Sequence, residues 1–264
     1  MISKNQLKYV RQLEQKKYRK REGLFVAEGT KVVGDLLKRY QPKAIFATAE
    51  WLRSSIVPEV YKNRHEVFEI SEEELYRLSF QQHPQQVLAL FPIPENQSDR
   101  VFDSILNHKP CSLILALDGI QDPGNLGTII RIADWFGIET IICSDDTVDT
   151  WNPKVIQATM GSIARINIVY TDLPRFLDKL PTDFPIYGTF LDGEDIYRQE
   201  LSHHGLIIMG NEGNGISKAV GEHINRRLLI PDFHQGETAD SLNVAIATAI
   251  TCSEFRRRLP SSRP

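Results

Sequence analysis

Three polar loops, each entered from an apolar run, carry the residues whose types and spacing could do chemistry. In the first, Leu117 to Ala133, an apolar strand runs into a polar turn and then a helix, with Asn125 placed to cap the helix N-terminus. Gly127 would let that helix approach another backbone, and Arg131, four residues on, shares its face. A helix N-terminus flanked by a cation can anchor a phosphate or a ribose. A capped helix with a solvent-facing arginine explains the same residues equally well. The second loop, Ile207 to Ser217, holds Met209, Gly210, Asn211, Glu212, Gly213 and Gly215. Three glycines within six residues either bend a backbone around a ligand or make a sharp turn. No Gly-Lys-Ser/Thr follows, and the strand-glycine-helix register and distal acid of a dinucleotide site are missing. The third loop leads from Ile230-Pro231 to Asp240, Ser241, Leu242 and Asn243. Asp240 or Ser241 is expected to cap a last helix in which Ala245, Ala247 and Ala249 alternate with larger apolar residues, small enough to pack closely against a second subunit.

Other chemistry is disfavoured. The seven histidines, His203-His204 included, show no metal-ligand spacing, so no metal is expected. Cys111, Cys143 and Cys252 lie far apart without C-x-x-C spacing, which fits reduced thiols in the cytoplasm. No apolar run approaches the ~20 residues needed to span a bilayer, and the N-terminus lacks the apolar segment of a secretory signal.

The loops need elements to position them. From Cys111 on, short wholly apolar runs alternate with helical stretches: Ser112–Leu117, Thr140–Cys143, Ile166–Tyr170, Ile186–Phe190, Leu206–Met209 and Leu228–Ile230. That pattern predicts a parallel sheet buried on both faces, with ligands beyond the carboxyl ends of its strands. Residues up to about Phe91 predict a smaller α/β unit. Its helices are Lys4–Leu13, Gly29–Arg39 and one opened by a Ser71–Glu74 capping box; its strands are Leu24–Val26, Ala44–Ala47, Val67–Ile70 and Val87–Phe91. The expected division is residues 1–92, a linker 93–110, and 111–264. Trp135 and Trp151 read as core or interface residues, and Pro153 and Lys154 open a short helix.

Net charge is −3, but residues 1–22 carry +6 and the remainder −9. Such asymmetry points to a nucleic-acid-facing end. Lys16, Lys17, Arg19, Lys20 and Arg21 could track phosphates, with Tyr18 available for stacking; a solvated helix end is the plainer explanation of a charge run alone. Arg226-Arg227 and Arg256-Arg257-Arg258 are shorter clusters.

Together the three loops are specific. Asn125-x-Gly127-x-x-x-Arg131-x-Ala133, then Gly210-Asn-Glu-Gly-x-Gly215, then Ile230-Pro231 followed by Ser241-Leu-Asn-Val244 resemble the SpoU (TrmH-type) RNA 2′-O-methyltransferases of the SPOUT superfamily. The resemblance is strong from about Leu113 to Phe255. Phe25–Gly29 and Leu78-Ser79 through Pro84–Ala89 are similar, more loosely, to the ribosomal-protein-like RNA-binding domain many members carry. It implies an α/β knot, a homodimer, and S-adenosylmethionine held mainly by backbone groups. Gly210, Ile230 and Leu242 are the implied lead cofactor contacts, with Thr189, Met209, Asn211 and Gly213 in support. Asn125, Arg131, Glu212, Ser241 and Asn243 are the implied catalytic set. Arginine is a poor base because its pKa lies above ~12. Arg131 is therefore expected to clamp the hydroxyl oxygen or its phosphate, Asn125, Ser241 and Asn243 to orient the ribose, and Glu212 to pair with Arg131 or cap loop amides. The N-terminal unit favours ribosomal over transfer RNA. A non-catalytic RNA-binding protein on the same scaffold is the rival, and the joint presence of the five polar residues argues against it. Two departures stand out: a longer, acidic loop from Asp232 to Asp240, and Gln86 where a glycine is common.

Overall fold

The computed structural model describes residues 2–54, 66–96, 98–106, 113–234 and 239–257. His65, His108, Cys111, Arg258 and part of the 232–240 loop lie outside the described residues. The chain forms two compact units, Met1–Glu95 with Asp149–Ala164, and Asn96–Val148 with Arg165–Pro264. The grouping differs from the expected division only in the stretch 149–164 and in residues 93–110. The 149–164 stretch belongs to the first unit because long-range contacts hold it there. Arg19 pairs with Asp149, Trp151 packs on Phe25 at 4.6 Å between ring centroids, and Arg39 donates to the Ala164 carbonyl.

In the first unit, helices α1 (Lys4–Gln12) and α2 (Lys16–Glu22) precede strand β1 (Leu24–Glu28), then α3 (Thr30–Leu37), β2 (Ala44–Ala47), α4 (Ala49–Arg53), β3 (Val67–Glu69), α5 (Glu72–Leu78) and β4 (Val87–Pro92). The Ser71–Glu74 capping box forms as expected, each side chain bonded to the other's backbone. The sheet order is β1-β4-β2-β3, with β4 antiparallel to both neighbours and β3 parallel to β2. Val10, Leu13, Val26, Phe46, Leu78 and Leu90 share one core on it. Burying each such side chain stabilises by about 1.5–3 kcal/mol. Gln86 enters β4 with φ +49°, in the left-handed region, which is the physical reason a glycine suits that position.

In the second unit, α6 (Ser98–Leu106) occupies the segment expected to be a linker, and Val101 on it reaches the core. Then come β5 (Leu113–Asp118), α7 (Pro123–Trp135) and β6 (Thr140–Ser144). After α8 (Pro153–Ala158), which belongs to the first unit, follow β7 (Asn167–Thr171), α9 (Leu173–Leu177), β8 (Ile186–Asp195), β9 (Gly205–Gly210), α10 (Lys218–Gly221), β10 (Arg226–Leu229) and α11 (Val244–Arg257). The sheet runs β10-β8-β9-β5-β6-β7 and every neighbouring pair is parallel. The two central strands, β5 and β9, are buried along their whole length, as their continuous apolar runs require. Parallel pairing brings all the strands' carboxyl ends to one edge, where the three loops emerge. Trp135 is 78% exposed, so it is not a core residue. No helix among the described residues is long and apolar enough to cross a membrane.

Candidate active site

The first loop is built around Asp118, the last residue of β5. Its carboxylate accepts from the Ser217 N–H at 2.7 Å, tying the end of β5 to the end of the glycine loop. Gly119 follows at φ +73° and donates its N–H to Ser144 Oγ at 2.8 Å. The cap of α7 is Asp122, not Asn125: Asp122 is extended and its side chain accepts from the Asn125 N–H at 2.8 Å, with Pro123 in the first turn. The expectation was three residues off, because both residues are good caps and the proline fixes which one starts the helix. The shift frees the Asn125 amide for other partners.

The glycine loop is a tight fold-back. Asn211 and Gly215 exchange backbone hydrogen bonds of 2.9 Å each. Asn211 Nδ2 donates to the Gly119 carbonyl at 2.6 Å, and its Oδ1 accepts from the N–H groups of Gly213 and Asn214. A Cβ on Gly210 would lie 2.2 Å from the Gly215 carbonyl carbon, so only glycine allows the return. Gly213 is open, with nothing nearer than 3.7 Å to such a Cβ.

Glu212 joins the loops. Its carboxylate accepts from the N–H of Gln121 and of Asp122, 3.1 Å each, and from Asn125 Nδ2 at 3.0 Å. Of the two expected roles it takes the amide-capping one, and the pairing with Arg131 is not formed. Burial pushes the carboxyl up, and the Asn125 amide with the loop N–H donors outweighs it, so Glu212 is held below its ordinary value. Asn125 Oδ1 in turn accepts from Asn243 Nδ2 at 2.9 Å, and Asn243 Oδ1 accepts from the N–H of Ala245 and of Ile246. Asn243, rather than Asp240 or Ser241, therefore caps α11. One chain of hydrogen bonds runs from α11 through α7 to the glycine loop.

The remaining expected residues sit around this chain. Arg131 is exposed on α7 and Ser241 is exposed before α11; neither has a polar partner among the described residues. Leu242 is 50% exposed, Ile230 is half-buried, and Met209 is buried with Thr189 Oγ1 at 3.9 Å from its sulfur. Burial pushes the thiols of Cys143 and Cys252 up, which leaves neither poised as a nucleophile. Among the described residues no cluster of His, Cys, Asp or Glu could hold a metal. Sequence reasoning missed Asp118 and Gly119; an acid followed by a glycine at the end of an apolar strand was the available signal.

In the first unit, Lys16, Lys17, Lys20 and Arg21 are exposed on α2. Arg19 is not: it is 2% exposed and bonded to Asp149 and to the carbonyls of Leu13 and Glu14, which removes it from any RNA-facing set. Tyr18 lies beneath Lys17 and Arg21, each 4.8 Å from its ring, and packs on the core, so it is not free to stack on a base.

Comparison with known proteins gives the site a context. Residues 112–253 match the SpoU rRNA Methylase family, and residues 4–89 match the MRM3-like substrate binding domain. The chain is 32% identical to the 23S rRNA (guanosine-2′-O)-methyltransferase RlmP of Bacillus subtilis, over 96% of this chain and 97% of that one. Among solved structures, an RNA methyltransferase of the TrmH family from Porphyromonas gingivalis superposes with a TM-score of 0.82 at 40% identity, covering 98% of this chain and all of the other. An AdoMet-bound rRNA methyltransferase from Sinorhizobium meliloti does so with a TM-score of 0.83 at 30% identity, covering 99% and 98%.

Proposed function

Because this chain belongs to the SpoU family of RNA methyltransferases, we propose that it transfers a methyl group from S-adenosylmethionine to a ribose 2′-hydroxyl of 23S ribosomal RNA. The observation that carries the reading is the hydrogen-bonded chain Asn243–Asn125–Glu212, which fixes all three family motifs at the carboxyl edge of the parallel sheet. S-adenosylmethionine supplies an electrophilic methyl group on a sulfonium centre.

The residues present fit that cofactor. Among the described residues no backbone hydrogen bond uses the amide or carbonyl of Ile230, Ser241 or Leu242, so these groups are available to a polar ligand edge. The half-exposed Leu242 offers an apolar face beside them. Gly210 keeps the loop folded back, and Gly213 leaves its outer side open. Met209 and Thr189 support the floor, while Asn211 acts by holding the loop rather than through a free side chain.

Arg131, exposed and unpaired among the described residues, clamps the hydroxyl oxygen or its neighbouring phosphate. A permanent cation stabilises developing negative charge but cannot take the proton, so the proton leaves to water. Asn125 and Asn243 each keep one amide hydrogen beyond those already used, enough to orient a ribose together with Ser241. Glu212 is occupied by three donors. That suits the chemistry, since a carboxylate at the sulfonium would stabilise the ground state and slow transfer.

A homodimer is part of the proposal: α7 and α11 pack together, and each leaves one large apolar side chain exposed, Trp135 at 78% and Ile246 at 53%. A cytoplasmic location goes with it, on the two free thiols Cys143 and Cys252. The test is mass spectrometry of nucleosides from ribosomal and transfer RNA, with and without the gene. One 2′-O-methylated nucleoside should vanish from ribosomal RNA and return with wild type but not with Arg131→Ala. Loss from the transfer RNA pool instead would reassign the substrate, and no change in either pool would overturn the reading.

A further inference from the structure

We propose that the first unit holds a separate RNA-binding site: a cavity between β1 and α8 that takes one unstacked nucleobase. The inference rests on the RNA-methyltransferase reading. The cavity has a volume of about 260 Å³. Sites for drug-sized ligands run to ~300–1,000 Å³, so this one suits a single flat ring system rather than a whole cofactor. Its walls include Phe80, Pro153 and Ala158, and its polar lining is Glu28, Gln81, Gln157 and Lys154.

The chemistry of the lining selects a base over a phosphate. Glu28 is 6% exposed, and its carboxyl accepts from the Phe80 N–H at 2.9 Å and from the Ser79 hydroxyl. A buried carboxyl repels a phosphate but can accept from the amino or imino group of a base edge. Gln81 Nε2 donates to Gln157 Oε1 at 2.7 Å, which leaves the Gln157 amide hydrogens and the Gln81 oxygen for a ligand. Donor and acceptor side by side between apolar walls is the arrangement that reads a base edge.

The surroundings supply the phosphate contacts. Lys154 lines the cavity, and α2 carries the exposed cations Lys16, Lys17, Lys20 and Arg21. Helix α2 is joined to the start of the 149–164 segment, which carries α8, by Arg19–Asp149. Lining residues come from both matched segments, 4–89 and 112–253, and neither builds the cavity alone.

Filter binding of a radiolabelled 23S rRNA transcript to the full chain tests this, with Ala158→Phe to fill the cavity and Gln157→Ala to remove its amide. Losing one bound base with its edge contacts should weaken RNA binding by about 5- to 100-fold. Adenosylmethionine affinity and the dependence on salt should stay as in wild type, whereas Lys20→Ala should lower the salt slope by about 1. Should Ala158→Phe fold poorly, Gln157→Ala decides, together with photo-cross-linking of the wild-type protein, which should mark the peptide containing Phe80 or Gln157. Wild-type RNA affinity in both variants, with methyl transfer intact in the parent, overturns the cavity proposal alone. A parent that neither binds the transcript nor transfers methyl overturns the functional reading and the cavity proposal with it.

Discussion

Replacing Arg19 with methionine keeps the apolar stem and removes the guanidinium. That group is 2% exposed, bonds twice to Asp149, and donates to the Leu13 carbonyl at 2.8 Å and the Glu14 carbonyl at 2.6 Å. Removing it leaves Asp149, 14% exposed, and two carbonyls without their donor. Breaking a buried ion pair from one side costs about 3–5 kcal/mol, against ~0.2–1 kcal/mol for an exposed pair such as Arg175–Asp172. At roughly 2–4 °C per kcal/mol for a protein of this size, the melting midpoint should fall by about 6–20 °C. Thermal unfolding followed by far-ultraviolet circular dichroism reads this directly. Ribosomal RNA affinity, measured at a temperature where both proteins are folded, should match wild type. Lys20→Ala should do the reverse, leaving the midpoint in place and weakening RNA binding. An Arg19→Met protein that melts like wild type but binds RNA less tightly would show that Arg19 faces the nucleic acid and not Asp149.

Glu212→Gln should leave adenosylmethionine affinity unchanged by calorimetry and lower turnover by about tenfold, ~1.4 kcal/mol, because the new amide faces the Gln121 N–H; a large loss of cofactor affinity would sink this. Since the folded Glu212 carboxyl lies below its ordinary 4.5, its stabilising effect is complete above that value and is lost as pH falls through the folded one. The acid limb of a melting-versus-pH curve should therefore shrink in Glu212→Gln, and an unchanged limb would contradict it. Gly210→Ala places a Cβ 2.2 Å from the Gly215 carbonyl carbon, so it should cost about 1–3 kcal/mol and abolish the calorimetric signal of adenosylmethionine; normal binding would show that the loop does not fold back. Gln86→Gly relieves ~1–2 kcal/mol of left-handed strain and adds ~0.5–1 kcal/mol of unfolded-chain freedom, so the midpoint should rise slightly or hold, and a clear fall would contradict the φ of +49°.

Much of this was legible in residue patterns. The uninterrupted apolar runs at Leu113–Leu117 and Leu206–Met209, alternating with helical stretches, indicated strands covered on both faces, and they are the centre of the sheet. The three motifs pointed to one edge, and the structure joins Asn125, Glu212 and Asn243 there. What escaped was set by partners distant in sequence. Nothing local distinguishes Arg19 from Lys20; Asp149, 130 residues away, does. The segment 149–164 follows a strand of the second unit and looks continuous with it, yet Trp151 packs on Phe25. Asp122 and Asn125 compete as caps within one turn, and the choice decides whether the asparagine amide is spent on its own helix or reaches Glu212. The 98–106 helix was hidden by polar, proline-marked flanks that resemble a linker.

The most direct test incubates the purified chain with S-adenosylmethionine carrying an isotopically labelled methyl group and a 23S rRNA transcript, then locates the label. It should appear on a single ribose as an alkali-resistant dinucleotide, and Arg131→Ala should abolish it while leaving adenosylmethionine binding intact. Label on a base, or undiminished transfer by Arg131→Ala, would contradict the assignment of this site to ribose 2′-O-methylation.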